Sequence, residues 1–284
     1  MKKLLSIVMM MSMILTACST GKVNEESSNV KNSNVKSDAV SVSQQDDSLQ
    51  KIIDKGTIKV GLSADYPPYE FMANVDGKPQ ISGSDITMAE YIADEIGVKV
   101  EYQDMDFKNL IGSLSSGQID LVISGLSPTP EREKAINLSD LYFQSFSSAV
   151  TLDSGTISSE NDLEGKNIAV QMGSIQEEYA NTIKNANVVS LSTTTDCLNQ
   201  LKAKKVDAMI LGGVVAENYV KNVDGLKLAV EISDQEEGLC IGIKKGNDSL
   251  TEKINNIIKK IKEEKLYDKW LVDANELAEE STVD

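Results

Sequence analysis

A short loop between two apolar segments carries the residues whose chemistry is most informative in this sequence. It begins with Ser124 and Gly125, continues through Ser127 and Thr129, and ends at Arg132. Small residues let backbone N–H groups approach a bound molecule closely, and the hydroxyls add donors. An arginine fork matches a carboxylate with two parallel hydrogen bonds. The loop is therefore predicted to bind an anionic group, and nothing near it suggests a catalytic centre.

Arg132 is informative because the chain has 27 lysines and this one arginine. A protein that uses lysine for ordinary surface cations has a specific reason to place an arginine after a serine-rich loop. The alternative is an ordinary surface arginine. We interpret Arg132 as a ligand-binding residue that needs its planar fork.

The composition excludes several functional classes. No histidine occurs, which removes the commonest general base and the commonest metal ligand. The formal net charge of −16 argues against nucleic acid as a partner. Cys197 and Cys240 could pair in an exported protein, although two small buried hydrophobes are the simpler interpretation. We predict no cofactor and no metal site.

The first residues are typical of an export signal. Lys2 and Lys3 precede an apolar run at 4–15 that is too short to span a bilayer. The run leads into Leu-Thr-Ala-Cys, which resembles the bacterial lipobox and implies lipidation of Cys18. We predict a signal peptide at 1–17 and, at 18–48, the lipidated cysteine with a disordered polar tether. Removal of the signal leaves a net charge of −18.

From residue 51 onward, strand and helix patterns alternate in two series of similar length. This predicts an α/β protein of two lobes, each a mainly parallel sheet flanked by helices, joined by two crossover strands. The first lobe is placed at 49–150 and 241–275, the second at 151–240, and an acidic tail at 276–284. Ligands bind beyond the carboxyl ends of such strands, so the cleft between the lobes is the predicted site.

A set of short motifs, in order, resembles the bacterial extracellular solute-binding proteins of the polar amino acid type, family 3. The resemblance covers roughly 50–272. Its segments are 61–71, 83–85, 110–117, 119–125, 129–132, 163–166, 206–208 and 267–270. It implies a two-lobed, periplasmic-binding-protein-like fold that captures a solute for a membrane importer and performs no catalysis.

The resemblance also implies roles for individual residues. Arg132 matches the arginine that binds the α-carboxylate of the ligand. The other positions it places around the ligand are Ser63, Tyr66, Phe107, Ser124, Gly125, Ser127, Ser174, Ile175 and Gly212. The lobes would close by hinges near Ser147–Leu152 and Glu237–Ile243. The implied partners are an amino acid or related carboxylate, the permease of an ABC importer, and the membrane through the lipid anchor, with the protein a monomer outside the cell.

Two positions depart from the family pattern. The family usually has an aspartate that pairs with the α-ammonium of the ligand, and here that position is Gly212. Either another acid replaces it, with Glu217, Asp65 and Glu70 as candidates, or the ligand lacks a free α-ammonium. Ser63 stands where some relatives carry an aspartate that recognises a basic side chain, which argues against lysine or arginine as the ligand.

Two other functions compete with solute capture. A related fold hosts cyclohexadienyl dehydratases, which use acidic residues in the same cleft, and the missing aspartate leaves room for such an enzyme. A ligand-sensing module is the other alternative. No nucleophile constellation supports an enzyme, so we predict a binding protein.

Overall fold

The computed structural model describes residues 46–281. The nine helices of this region are α1 Ser48–Lys55, α2 Ser84–Ile96, α3 Leu110–Ser116, α4 Pro130–Ala135, α5 Ile175–Ala180, α6 Thr194–Lys202, α7 Gly213–Asn222, α8 Asp248–Glu263 and α9 Leu266–Ser281. Its strands are β1 Thr57–Leu62, β2 Asp65–Tyr66, β3 Glu70–Val75, β4 Lys78–Ser82, β5 Lys99–Asp104, β6 Leu121–Val122, β7 Ile136–Leu138, β8 Phe143–Leu152, β9 Asn167–Gln171, β10 Asn187–Leu191, β11 Ala208–Gly212, β12 Leu226–Leu239 and β13 Gly242–Lys244. Short 3₁₀ turns lie at Phe107–Asn109 and Glu160–Leu163. The predicted signal peptide, Cys18 and most of the predicted tether lie outside the described residues.

Two five-stranded sheets form the framework, with the orders β5-β1-β6-β13-β7 and β10-β9-β11-β8-β12. In each sheet, the first three strands are parallel and the fourth strand, β13 or β8, is antiparallel to both of its neighbours. We call the first sheet, the small sheet β2-β3-β4 and the helices packed on them the first lobe. The second sheet with α5, α6 and α7 is the second lobe. Two α/β lobes of this kind confirm the predicted fold class.

Strand β8 corrects the predicted boundary between the lobes. It was assigned to the first lobe up to residue 150, yet it pairs with β12 from Phe143 opposite Leu239 to Leu152 opposite Leu226. Its other edge pairs with β11. One edge is paired along the strand and the other from Ser147 to Val150, so β8 belongs to the second sheet.

The chain therefore crosses between the lobes before Phe143. Ser139 donates its N–H to the carbonyl of Ile241 at 3.0 Å, and Tyr142 donates to that of Leu239 at 2.8 Å. The Ile241 N–H in turn donates to Ser139 Oγ at 2.8 Å. The two crossover segments thus run side by side. The hinge predicted at Ser147–Leu152 lies inside β8, so the crossover on this side is at 139–142.

The two ends of the described region are also more ordered than predicted. Asp46, expected in the tether, accepts the N–H of Ser48 at 3.0 Å and the N–H of Ser249. Residues 276–281, expected in an acidic tail, continue α9. Ala278 is buried against Phe71 and Ala73 of the first lobe, because apolar residues at helical spacing continue to this point.

Helix α9 also contacts the second lobe. Asn218 of α7 donates from Nδ2 to Asn275 Oδ1 at 3.2 Å, and Lys221 of α7 forms an ion pair with Glu279. None of the helices in 46–281 has the length and apolar character needed to cross a membrane. Cys197 and Cys240 are both buried and both free.

Candidate functional site

The loop after β6 brings Arg132 to the boundary between the lobes. Strand β6 ends at Val122, and helix α4 begins eight residues later at Pro130. The hydroxyl of Thr129 accepts the N–H of Arg132 at 3.1 Å and caps the helix, with proline at its first position. The cap and the proline fix the start of α4, so Arg132 lies in its first turn with its side chain buried.

The guanidinium of Arg132 contacts both lobes. Nη1 donates to the Ser127 carbonyl at 2.6 Å, and Nη2 donates to the Gly173 carbonyl of the second lobe at 3.0 Å. Its central carbon lies 5.6 Å from the ring centroid of Phe107, a cation–π geometry. The fork is therefore held in place by backbone carbonyls and an aromatic ring.

A cavity of about 20 Å³ lies beside this fork. Its walls are Tyr66, Phe107, Gly125, Ser127, Arg132, Gln171, Ser174, Ile175 and Gln176. Space of this size holds about one water molecule, so the lobes are closed around it. Seven of the ten ligand-binding positions implied by the family resemblance line this one cavity.

Gly125 is required where it packs against Tyr66. Its φ is +52°, a left-handed conformation, and a Cβ there would lie 3.2 Å from two carbons of the Tyr66 ring. Its N–H donates to Asp85 Oδ2 at 2.9 Å. The loop and the aromatic wall of the cavity are thus in direct contact.

Ser63, Ser124 and Gly212 lie one layer behind the cavity wall. Ser124 accepts the N–H of Ser63 at 3.1 Å and donates to Glu70 at 2.7 Å. The Ser63 hydroxyl donates to Asp65 at 2.7 Å. These two serines therefore orient buried acids in this structure. Gly212 donates its N–H to the hydroxyl of Tyr66 at 2.8 Å.

Two glutamines that were not predicted from the sequence also line the cavity. Gln171 is the last residue of β9, and its side chain donates to Asp65 Oδ1 at 3.3 Å. Gln176 lies in the first turn of α5 and donates to Ser147 Oγ at 2.9 Å. Both follow rules available from sequence, since one ends a parallel strand and the other follows the helix cap Ser174.

Two fully buried acids, Glu70 and Asp85, and the half-buried Asp65 lie close to the cavity. Burial raises the pKa of Asp65, while hydrogen bonds from Ser63 and Thr194 oppose the shift. Burial, followed by the charge of Asp85, raises the pKa of Glu70 well above its usual range. Burial also raises the pKa of Asp85 to about 6. Within residues 46–281, no lysine or arginine lies within salt-bridge distance of any of the three.

The three acids proposed as replacements for the missing aspartate differ in their surroundings. None of the three is part of the cavity wall, and Glu217 is exposed on α7. Both carboxylate oxygens of Asp65 accept hydrogen bonds. Glu70 is fully buried, and among the described residues its Oε2 has no hydrogen-bond partner.

Comparisons with known proteins agree on the kind of protein. The family model of the bacterial extracellular solute-binding proteins, family 3, matches residues 58–273. The arginine-binding extracellular protein ArtP of Bacillus subtilis is 36% identical over 225 residues, which cover 76% of this chain and 86% of ArtP.

Solved structures give the same result. A crystal structure of AbpA from Streptococcus pneumoniae, an amino acid ABC transporter substrate-binding protein bound to L-arginine, is similar with a TM-score of 0.78 and 37% identity. It covers 81% of this chain and 98% of AbpA. The ancestral amino acid-binding protein AncCDT-1, a precursor of cyclohexadienyl dehydratase, is similar with a TM-score of 0.71 and 32% identity, covering 78% of this chain and 99% of that one.

These likenesses favour solute binding over catalysis, since even the protein related to a dehydratase is described as an amino acid-binding protein. The match to the family model spans both lobes and includes the loop that ends at Arg132. The chain therefore belongs to the bacterial extracellular solute-binding proteins, family 3.

Proposed function

We propose that this chain is the extracellular, lipid-anchored solute-binding component of an amino-acid ABC importer, and that its two lobes close on a cationic amino acid of the arginine class. The observation that carries the proposal is the position of Arg132. Its buried fork lies at the cavity and contacts both lobes. A ligand carboxylate held there would connect the lobes through the same donors.

Buried carboxyl groups support a cationic ligand. Glu70 and Asp85 have no cationic partner in the described part of the chain, and burial raises the pKa of each. A positive group in the cleft would stabilise their charged forms. The family usually has an aspartate at position 212 that pairs with the α-ammonium of the ligand. Here we propose that Glu70, whose Oε2 has no hydrogen-bond partner among the described residues, takes this role.

This proposal revises the expectation drawn from Ser63. Serine at that position argued against a basic ligand because it replaces an acid. Its hydroxyl donates to Asp65, two residues later, which also accepts hydrogen bonds from the second lobe, so neither residue is assigned to the ligand, whose positive charge is assigned to Glu70 and Asp85. ArtP is named as an arginine-binding protein, and the AbpA structure contains bound L-arginine. Both support the same ligand class.

Calorimetry with three related ligands tests the ligand class. L-Arginine should bind one to one. Agmatine lacks the carboxylate and should bind about 30- to several-thousand-fold more weakly, since an unpaired buried charge costs about 2–5 kcal/mol. L-Citrulline has the shape of arginine without its charge and should also bind more weakly. Equal affinities for arginine and agmatine would show that Arg132 does not bind the ligand carboxylate. Equal affinities for arginine and citrulline would show that the site does not require a cationic side chain.

The anchor and the location are part of the proposal. Cys18 follows a short apolar run in a lipobox-like sequence, and residues 19–45 supply a polar tether. The protein would act as a monomer outside the cell and deliver its ligand to the permease. Labelling cells with a palmitate analogue should mark the wild-type chain and leave Cys18→Ala unlabelled. A labelled variant would contradict the assignment.

A further inference from the structure

The carboxylate of Asp65 joins the first lobe to the second. Asp65 begins strand β2 of the first lobe, and Thr194 begins helix α6 of the second. The N–H of Thr194 donates to Asp65 Oδ2 at 2.5 Å, and its hydroxyl donates to the Asp65 carbonyl. Gln171 of the second lobe donates to Asp65 Oδ1 at 3.3 Å.

Among the described residues, each group that hydrogen-bonds to this carboxylate donates to it. Besides the two residues of the second lobe, the Ser63 hydroxyl donates to Oδ1 from the first lobe at 2.7 Å. Thr194 is fully buried, so its N–H has no access to water in the closed form. An unmet buried donor is costly, and a charged acceptor at the start of a helix is favourable. The contact therefore belongs to the closed arrangement of the lobes.

We propose that Asp65 is a closure latch, a positioning residue that stabilises the closed form through Thr194 and Gln171 without contacting the ligand. When the lobes separate, Thr194 and Asp65 must exchange this contact for water. The latch sets the closed fraction for any ligand that fits, whatever the charge of its side chain. This inference rests on the proposed ligand-binding function wherever it predicts an affinity for arginine or citrulline.

A charge-removing substitution separates the latch from a ligand contact. Asp65→Asn keeps the shape but turns an amide NH₂ toward groups that are themselves donors. The latch predicts that this variant weakens L-arginine and L-citrulline by the same factor, about tenfold, which corresponds to about 1.4 kcal/mol. An acid that paired with the side-chain cation of the ligand would instead weaken arginine and spare citrulline, and that result would overturn the latch. An acid that paired with the α-ammonium would weaken arginine and spare its α-hydroxy analogue argininic acid, which would also overturn it.

Thr194→Val provides the second side of the contact. The substitution removes the hydroxyl that donates to Asp65. Because Thr194 lies in the second lobe and Asp65 is left unchanged, this variant tests the latch even if Asp65→Asn folds poorly. It should weaken both ligands equally, and the double variant should lose less than the sum of the two single losses. Additive losses would overturn the latch. Asp106→Asn is the matched control, since Asp106 accepts the Ser192 hydroxyl across the cleft at 3.1 Å at a more exposed position.

Small-angle X-ray scattering provides a measurement that does not depend on the ligand. Without ligand, Asp65→Asn should have a larger radius of gyration than the wild type, because its closed fraction is smaller. Identical curves for the two proteins, without ligand and with each amino acid present, would overturn the latch. A wild type that binds neither amino acid would contradict the proposed ligand class, while the ligand-free curves would still decide on Asp65.

Discussion

The hydroxyl of Tyr66 in the first lobe accepts the backbone N–H of Gly212 in the second lobe at 2.8 Å. A Cβ at position 212 would lie 2.8 Å from the same oxygen. The position where the family usually has an aspartate is thus filled from across the cleft by a tyrosine. Glycine at 212 allows the two lobes to meet at this point.

This contact predicts that a side chain at 212 opposes closure. Gly212→Ala should weaken L-arginine binding by about 5- to 100-fold, since overpacking of a close contact costs about 1–3 kcal/mol. Calorimetry measures the effect. Gly112→Ala is the control, because a Cβ there meets nothing within 4 Å, and its affinity should match the wild type. A Gly212→Asp variant that binds arginine more tightly than the wild type would show that the family's aspartate can be restored.

The contacts of Arg132 indicate that ligand binding requires its guanidinium fork and that positive charge alone is not enough. Lysine at this position keeps the charge but cannot reach the Ser127 and Gly173 carbonyls with two separate nitrogens. We expect Arg132→Lys to weaken L-arginine by about tenfold or more, about 1.4 kcal/mol, with an unchanged melting temperature. Lys134→Ala, exposed on the same helix, should bind normally. Unchanged affinity in Arg132→Lys would remove the carboxylate assignment.

Asp85 predicts that stability falls as the pH rises toward neutral. Burial raises its pKa from 3.8 to about 6, although hydrogen bonds from Tyr267, Gly125 and Tyr142 favour the charged form. The folded protein then holds a proton that the unfolded chain releases. This contribution is fully present below the unfolded value of 3.8 and is lost as the pH rises through about 6.

Urea unfolding between about pH 4 and 8 should show a loss of about 2–3 kcal/mol, since a tenfold change in proton affinity is worth about 1.36 kcal/mol. Glu70, whose pKa burial also raises, contributes with the same sign. Asp85→Asn should give a shallower slope, while Asp54→Asn, exposed on α1, should keep the wild-type slope. Stability that increases over this range would contradict the assignment.

The two cysteines predict slow thiol chemistry. Burial raises the pKa of Cys197 and of Cys240 to about 12, and both are free. Because the thiolate is the reactive form, a thiol-specific reagent added to the Cys18→Ala protein should label neither residue in the folded state and both after unfolding. The absorbance of the released chromophore follows the reaction. Rapid labelling of the folded protein would show that one of these thiols becomes accessible.

The parts of the fold that followed local rules could be predicted from sequence. Apolar residues at helical spacing after Asp85, followed by Gly97, predict a helix that ends there, and α2 ends at Ile96 with Gly97 in a left-handed conformation. The sequence at 167–171 predicts a strand, and β9 has the same bounds, Asn167–Gln171. Apolar periodicity and glycine caps are properties of a few neighbouring residues, so they can be recognised without tertiary contacts.

Strands that depend on distant partners were missed or assigned to the wrong lobe. Strand β8 mixes serines with apolar residues and has no clear alternation, and its pairing with β11 and β12 decides where it lies. The site shows the same division. The loop ending at Arg132 could be identified from the chemistry of its residues. The contacts of Asp65 with Thr194 and of Tyr66 with Gly212 join residues more than a hundred positions apart, so they could not be.

Helix α9 extends past residue 273, where the match to the family model ends. Its last turns contact the second lobe through Asn275 and Glu279, while Ala278 packs on the first. Separation of the lobes must break these contacts with α7. Contacts in this position would lengthen the residence time of a bound solute without changing any atom that touches it. Two importers with identical pockets would then release the same nutrient at different rates.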